Sequence, residues 1–138
     1  MSRARAGLTA AGITTYTAIK PALPGIWPGS TAVVIGIGGL GLYAVQFLRQ
    51  FTGARIVAVH SSGARLKVAR KYGADDVVSS GPDAAKQIRE LSGGVGATFV
   101  RDCVGVNATL ATAVAALSWR GRPVMINAGR RLDSLRLP

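Results

Sequence analysis

The chain has 138 residues, 49% of them hydrophobic and 17% charged, a composition typical of one compact domain rather than a disordered or fibrous chain. Its 17 basic and 6 acidic residues give a net charge of +11, which attracts anions, but the basic residues form no continuous block. One cysteine and one histidine exclude an internal disulfide and a zinc site built by one chain alone.

Short apolar segments alternate along the chain with amphipathic segments of helix length. The stretch Gly7–Lys20 predicts a helix before the first strand. Apolar segments without polar alternation then predict strands buried on both faces: Ala32–Ile35, Ile56–Val59, Asp76–Val78, Ala97–Asp102 and Pro123–Ile126. The segments between them predict helices: Leu40–Phe51, Ala64–Tyr72, Pro82–Leu91 and Ala108–Leu117. This alternation predicts one α/β domain over residues 1–138, with a doubly wound parallel sheet of about five strands and helices on both faces.

A glycine-rich turn joins the first strand to the helix that follows it. Residues 36–41, Gly-Ile-Gly-Gly-Leu-Gly, have the G-x-G-x-x-G pattern of a Rossmann-type dinucleotide site in its required strand–helix context. Gly36 permits the tight turn, Gly38 lets a pyrophosphate approach the backbone, and Gly41 lets the helix pack closely on the strand. The free N–H groups and positive dipole end of the helix stabilise phosphates there. We therefore predict that NAD or NADP is held by Gly36, Gly38, Gly39, Leu40 and Gly41.

The end of the second predicted strand bears on the choice between NAD and NADP. An NAD site needs an acidic residue about 20 positions beyond the glycines, to bind the ribose hydroxyls. Residues 57–63 contain no carboxylate; His60 and Ser61 stand there, and Arg65 follows. This edge favours a 2′-phosphate, so we expect a slight preference for NADP. The alternative is that His60 is a solvent-facing loop residue and Arg65 an ordinary solvated charge.

The opposite wall of the crevice should come from the end of the fourth strand, at the topological switch point. The residues there are Asp102–Gly105. Cys103 is most simply a small buried residue, because no base stands beside it in the sequence. Tyr16 and Lys20 have the Tyr-x-x-x-Lys spacing of short-chain dehydrogenases, but they precede the glycine turn, so we assign Tyr16 to packed helix surface.

Four segments in this order resemble the coenzyme domain of the medium-chain alcohol dehydrogenase family: Gly12–Lys20, Val33–Gly41, Arg65–Asp75 and Asp102–Gly105. The resemblance implies a Rossmann fold, NAD(P) binding, and hydride transfer between an alcohol and an aldehyde or ketone. It also implies that Thr14 lies near the nicotinamide, that His60 and Arg65 face the adenosine ribose, and that Val104 and Ala128 line the nicotinamide ribose.

The chain departs from that family's pattern at several positions. The last catalytic zinc ligand would fall at Ala10, which cannot bind metal, and the four-cysteine zinc lobe is missing. Arg101 stands where an apolar residue is usual, and an unpaired arginine is costly to bury. The final sheet strand, expected after residue 130, is missing too. We therefore expect a coenzyme domain that is truncated or has its catalytic half elsewhere, with no zinc and no turnover alone.

These observations leave three functions open. The first is the coenzyme domain of an oxidoreductase; the second is a non-catalytic nucleotide-binding or sensor module; the third, least favoured, is a basic nucleic-acid binder. No apolar run reaches the roughly 18–20 residues that cross a bilayer, and no secretory leader is visible. We expect no membrane partner, a cytoplasmic location, and a possible homodimer through the sheet edge that the missing strand leaves open.

Overall fold

A computed structural model of the chain describes residues 12–127 and 130–132. Helix α1 includes residues 12–19, and a 3₁₀ helix, Lys20–Gly25, follows it. The other helices are α2 (Gly39–Phe51), α3 (Gly63–Tyr72), α4 (Ala84–Leu91) and α5 (Asn107–Ala116). The strands are β1 (Thr31–Ile35), β2 (Arg55–His60), β3 (Asp76–Ser79), β4 (Phe99–Asp102), β5 (Val124–Asn127) and β6 (Arg130–Leu132).

The strands form one sheet in the order β3-β2-β1-β4-β5-β6, in which β1 to β5 are parallel. In this order β2 and β3 lie on one side of β1, and β4, β5 and β6 lie on the other. The switch point of the sheet is therefore between β1 and β4. The predicted doubly wound Rossmann-type sheet is therefore confirmed. The glycine turn lies at the carboxyl end of β1, at the switch point where open α/β sheets bind their ligands.

Both faces of the sheet are covered, because side chains alternate between faces along each strand. Ala32 and Val34 of β1 pack in one core with residues of α1, α2 and α3. Val33 and Ile35 pack in a second core with residues of α4 and α5. All five residues of β1 are buried, which explains why the predicted strands showed no polar alternation.

The expectation that no sheet strand follows residue 130 is wrong. Arg130–Leu132 forms β6 and pairs antiparallel with β5, with Ile126 opposite Arg131. Without a partner, β5 would leave a row of unpaired N–H and C=O groups at the edge of the sheet, and β6 pairs with these groups. Among the described helices, none is both long and apolar enough to span a bilayer.

Candidate functional site

The glycine turn after β1 has a backbone shape that depends on two of its glycines. Gly36 has a φ of +88°, and its N–H donates to the Val59 carbonyl at 2.8 Å. A Cβ placed on Gly36 would lie 2.7 Å from Val104 Cγ2. A Cβ placed on Gly41 would lie 1.8 Å from the Gly36 carbonyl oxygen. Side chains are therefore excluded at both positions, and the first turn of α2 packs directly on the turn.

The amino end of α2 is open and carries no acidic residue in its first turn. Gly38 is the N-cap residue and has no side chain to accept a bond from the free N–H groups. A Cβ placed on Gly38 or on Gly39 would meet nothing within 4 Å, so space remains above both residues. Leu40, the next residue, is exposed beside them. Free donors, a positive dipole end and open space together make a site for an anion.

The opposite wall is the loop after β4. Val104 is 48% exposed and lies against Gly36, so the structure brings these two predicted residues together. Asp102 is fully buried, and its Oδ1 accepts hydrogen bonds from the N–H groups of Val104 and Gly105, each at 3.0 Å. The Thr109 hydroxyl donates to Asp102 Oδ2 at 2.9 Å. Asp102 was predicted to lie in this wall, but its spacing gave no sign of its role: the carboxylate fixes the loop that contacts the glycine turn.

At the end of β2, His60 is half-buried and is not the solvent-facing loop residue of the alternative interpretation. Its Nδ1 accepts a hydrogen bond from the Ser62 N–H at 2.9 Å. Ser61 is exposed, and Ser62 caps α3 by accepting from the Arg65 N–H. Arg65 is exposed in the first turn of α3, which carries no acidic residue. These residues lie at the end of β2, at the start of α3 and in the connection between them, one strand away from the glycine turn.

Two further predicted residues, Thr14 and Ala128, do not belong to β1, β2, β4 or the loops that follow them. Thr14 is exposed on α1, the helix whose Gly12 lies beside Tyr43 of α2. Ala128 lies outside the described residues. Tyr16 packs edge-on against Phe47, with ring centroids 5.4 Å apart, as the assignment to packed helix surface predicted.

Zinc does not fit the described residues, because no group of three His, Cys, Asp or Glu side chains among them could hold a metal ion. His60 ends β2 and Cys103 follows β4, on either side of β1. Burial raises the pKa of the Cys103 thiol, and the nearby Arg101 guanidinium opposes this rise. A raised pKa suits a packed thiol rather than a nucleophile.

Comparison with known proteins matches residues 39–137 to the zinc-binding dehydrogenases. The chain is similar to an alcohol dehydrogenase from the archaeon Aeropyrum pernix, with 38% identity over 93% of the chain and a TM-score of 0.80. A mycobacterial protein complexed with NADPH is 34% identical over 80% of the chain, with a TM-score of 0.70. D-arabinose dehydrogenase from Sulfolobus solfataricus is 32% identical over 89%, with a TM-score of 0.73. The chain covers 36%, 34% and 39% of these proteins, a little over a third of their length.

Proposed function

The chain belongs to the zinc-binding dehydrogenase family, and we propose that it serves as the coenzyme-binding part of an oxidoreductase acting on an alcohol or carbonyl substrate. The observation that carries this proposal is the open amino end of α2 above the glycine turn, at the switch point of the sheet. The nicotinamide dinucleotide supplies the hydride chemistry when bound, and the chain's task is to bind and orient it.

In this proposal the pyrophosphate lies over Gly38 and Gly39, where the backbone is accessible and no side chain intervenes. The N–H groups of Gly39, Leu40 and Gly41 are the first donors of α2 and would face it. Val104 would border the ribose next to the nicotinamide, because it flanks Gly36 on the β4 side. Thr14 and Ala128 are assigned to the nicotinamide side by the family resemblance alone.

We further propose that NADP is preferred to NAD. His60 occupies the position where an NAD site needs a carboxylate, and its Nδ1 already accepts the Ser62 N–H. A neutral ring in this arrangement carries its proton on Nε2 and therefore offers a donor, which suits a phosphate better than ribose hydroxyls. Exposed Arg65 and Ser61 add a charge and a hydroxyl nearby. The NADPH complex of the mycobacterial relative supports this assignment.

Calorimetric titration of the chain with NAD, NADH, NADP and NADPH tests the proposal. We expect NADP and NADPH to bind more tightly, and Arg65→Ala to weaken NADP about tenfold while leaving NAD unchanged, since one charged hydrogen bond is lost. Lys86→Ala is the matched control, because Lys86 is exposed on α4, which packs on the other face of the sheet. No heat and no thermal shift with any dinucleotide would refute the binding proposal; tighter NAD would refute the specificity.

The partner and the location follow from the same proposal. We expect no dehydrogenase turnover by this chain alone, because it covers only 36% and 39% of the two dehydrogenases to which it is similar. A catalytic domain supplied elsewhere would be its partner. The lone cysteine suits a reducing compartment, and we assign the chain to the cytoplasm. A homodimer through the sheet edge remains a prediction, with β6 rather than β5 as the strand at that edge.

A further inference from the structure

Arg101 is a buried cation in the middle of the sheet. It lies on β4 between Val34 of β1 and Ile126 of β5, and it is only 3% exposed. Within the described part of the chain, its Nη1 has no hydrogen-bond partner. A guanidinium carries a full positive charge with five N–H donors, so burying one without a counter-charge destabilises a fold.

The nearby carboxylate does not supply the missing partner. Asp102 follows Arg101 along β4 and so points to the opposite face of the sheet. Its two oxygens accept from Val104, Gly105 and Thr109. The ion pairs among the described residues, Arg49–Asp75 and Arg55–Asp76, lie at the other end of the sheet, where β2 and β3 begin. Within residues 12–127 and 130–132, the guanidinium therefore has no anionic partner.

The guanidinium lies on the same face as α2 and close to the glycine turn. Val34 and Ile126, its neighbours in register, both belong to the core beneath α1 and α2. The guanidinium interacts with the Cys103 thiol, and Cys103 Cβ would lie 3.6 Å from a Cβ placed on Gly36. On this face, Thr15 of α1 is also buried, and its Oγ1 has no partner among the described residues.

We propose that Arg101 is the buried counter-charge of the dinucleotide pyrophosphate, an inference that rests on the proposed function. The open amino end of α2 and the buried guanidinium, whose Nη1 has no partner among the described residues, are two positive features close to one turn. Arg101 need not touch the phosphates, because Coulomb attraction through the protein interior acts over several ångströms. The dinucleotide's negative charge would then offset a cost that the unliganded domain carries.

This proposal predicts two effects of opposite sign for Arg101→Met. Without ligand, the variant should be more stable, with a thermal midpoint about 3–10 °C higher, because an apolar side chain replaces a buried charge that has no carboxylate partner among the described residues. Its affinity for NADP and for ADP, which share the pyrophosphate, should be about tenfold lower, the factor expected for one charge at roughly 10 Å in a protein interior. Arg101→Lys keeps the charge and should bind within about threefold of the wild type.

The experiment combines thermal denaturation with calorimetric titration of wild type, Arg101→Met, Arg101→Lys and the remote control Lys86→Met. Unchanged NADP affinity in Arg101→Met would overturn the proposal, and so would a variant that is less stable or unfolded without ligand. An equal loss of affinity in Arg101→Lys would rule out a charge effect. Stabilisation of the wild type by chloride at constant ionic strength, abolished in Arg101→Met, would assign the guanidinium to a small anion instead. Failure of the wild type to bind NADP would refute the proposed function, while the stability comparison would still report whether Arg101 is unpaired.

Discussion

Replacing Gly41 by alanine should disrupt the glycine turn. The added Cβ would lie 1.8 Å from the Gly36 carbonyl oxygen and 2.9 Å from its carbon, so backbone atoms must separate by more than an ångström. That movement pulls the Gly36 turn away from Val59 or lifts α2, whose Ala44, Val45 and Leu48 are fully buried. Overpacking of this severity costs about 3 kcal/mol, toward the upper end of the usual range because the obstacle is backbone. For a chain of this length, that lowers the thermal midpoint by about 10 °C.

Thermal denaturation followed by circular dichroism measures this change, and Gly38→Ala is the matched control. A Cβ on Gly38 meets nothing within 4 Å, and its φ of −87° suits any residue. Gly38→Ala should therefore change the free energy of unfolding by less than about 1 kcal/mol, the usual scale for an N-cap change. It should nevertheless weaken NADP, whose pyrophosphate would need the same space. Wild-type stability in Gly41→Ala would refute the packing argument.

Two further predictions concern the loop after β4. Asp102→Ala removes the acceptor of the Val104 and Gly105 N–H groups, so urea denaturation should show a loss of about 2–4 kcal/mol; a loss below about 1 kcal/mol would mean that the loop does not depend on this carboxylate. Burial raises the pKa of Cys103 above its ordinary 9.0, so the folded domain holds the thiol proton more tightly than the unfolded chain. The contribution of the protonated thiol to the free energy of unfolding is complete below pH 9.0 and declines as the pH rises through the raised pKa. Cys103→Ala should make the free energy of unfolding less dependent on pH in this range. Equal pH dependence in the two proteins would contradict the raised pKa.

The sequence predicts the central sheet well because its strands are buried on both faces. Val33 and Ile35 face one core while Ala32 and Val34 face the other, so the apolar run is unbroken and easily recognised. The edge strand β6 could not be predicted in the same way. Arg130–Leu132 begins with two arginines, and its pairing depends on backbone groups of β5 rather than on a side-chain pattern.

For the candidate site, the sequence predicted the close backbone contacts of the glycine turn. Gly36 and Gly41 occur in a motif whose spacing reflects backbone contacts, and those contacts are present in the structure. The role of Asp102 was missed because it depends on where its two oxygens point after the chain turns at Val104 and Gly105. The Ser62 N–H bond to His60 Nδ1 depends likewise on a side-chain orientation that spacing does not determine.

Among the described residues, the ion pairs of this strongly basic domain lie at one end of the sheet. Where β2 and β3 begin, arginines are paired: Arg49 with Asp75, and Arg55 with Asp76. Near the carboxyl ends of β1 and β4, the Asp102 carboxylate accepts hydrogen bonds from the protein's own N–H groups. The first turn of α2 contains no acidic residue. In the part of the chain that the structure describes, carboxylates thus form ion pairs with arginines where β2 and β3 begin, and no such pair lies beside the glycine turn. This uneven distribution of charge would favour the binding of an anion at the glycine turn. The positive net charge would then contribute to binding through nearby groups as well as through the field of the whole domain.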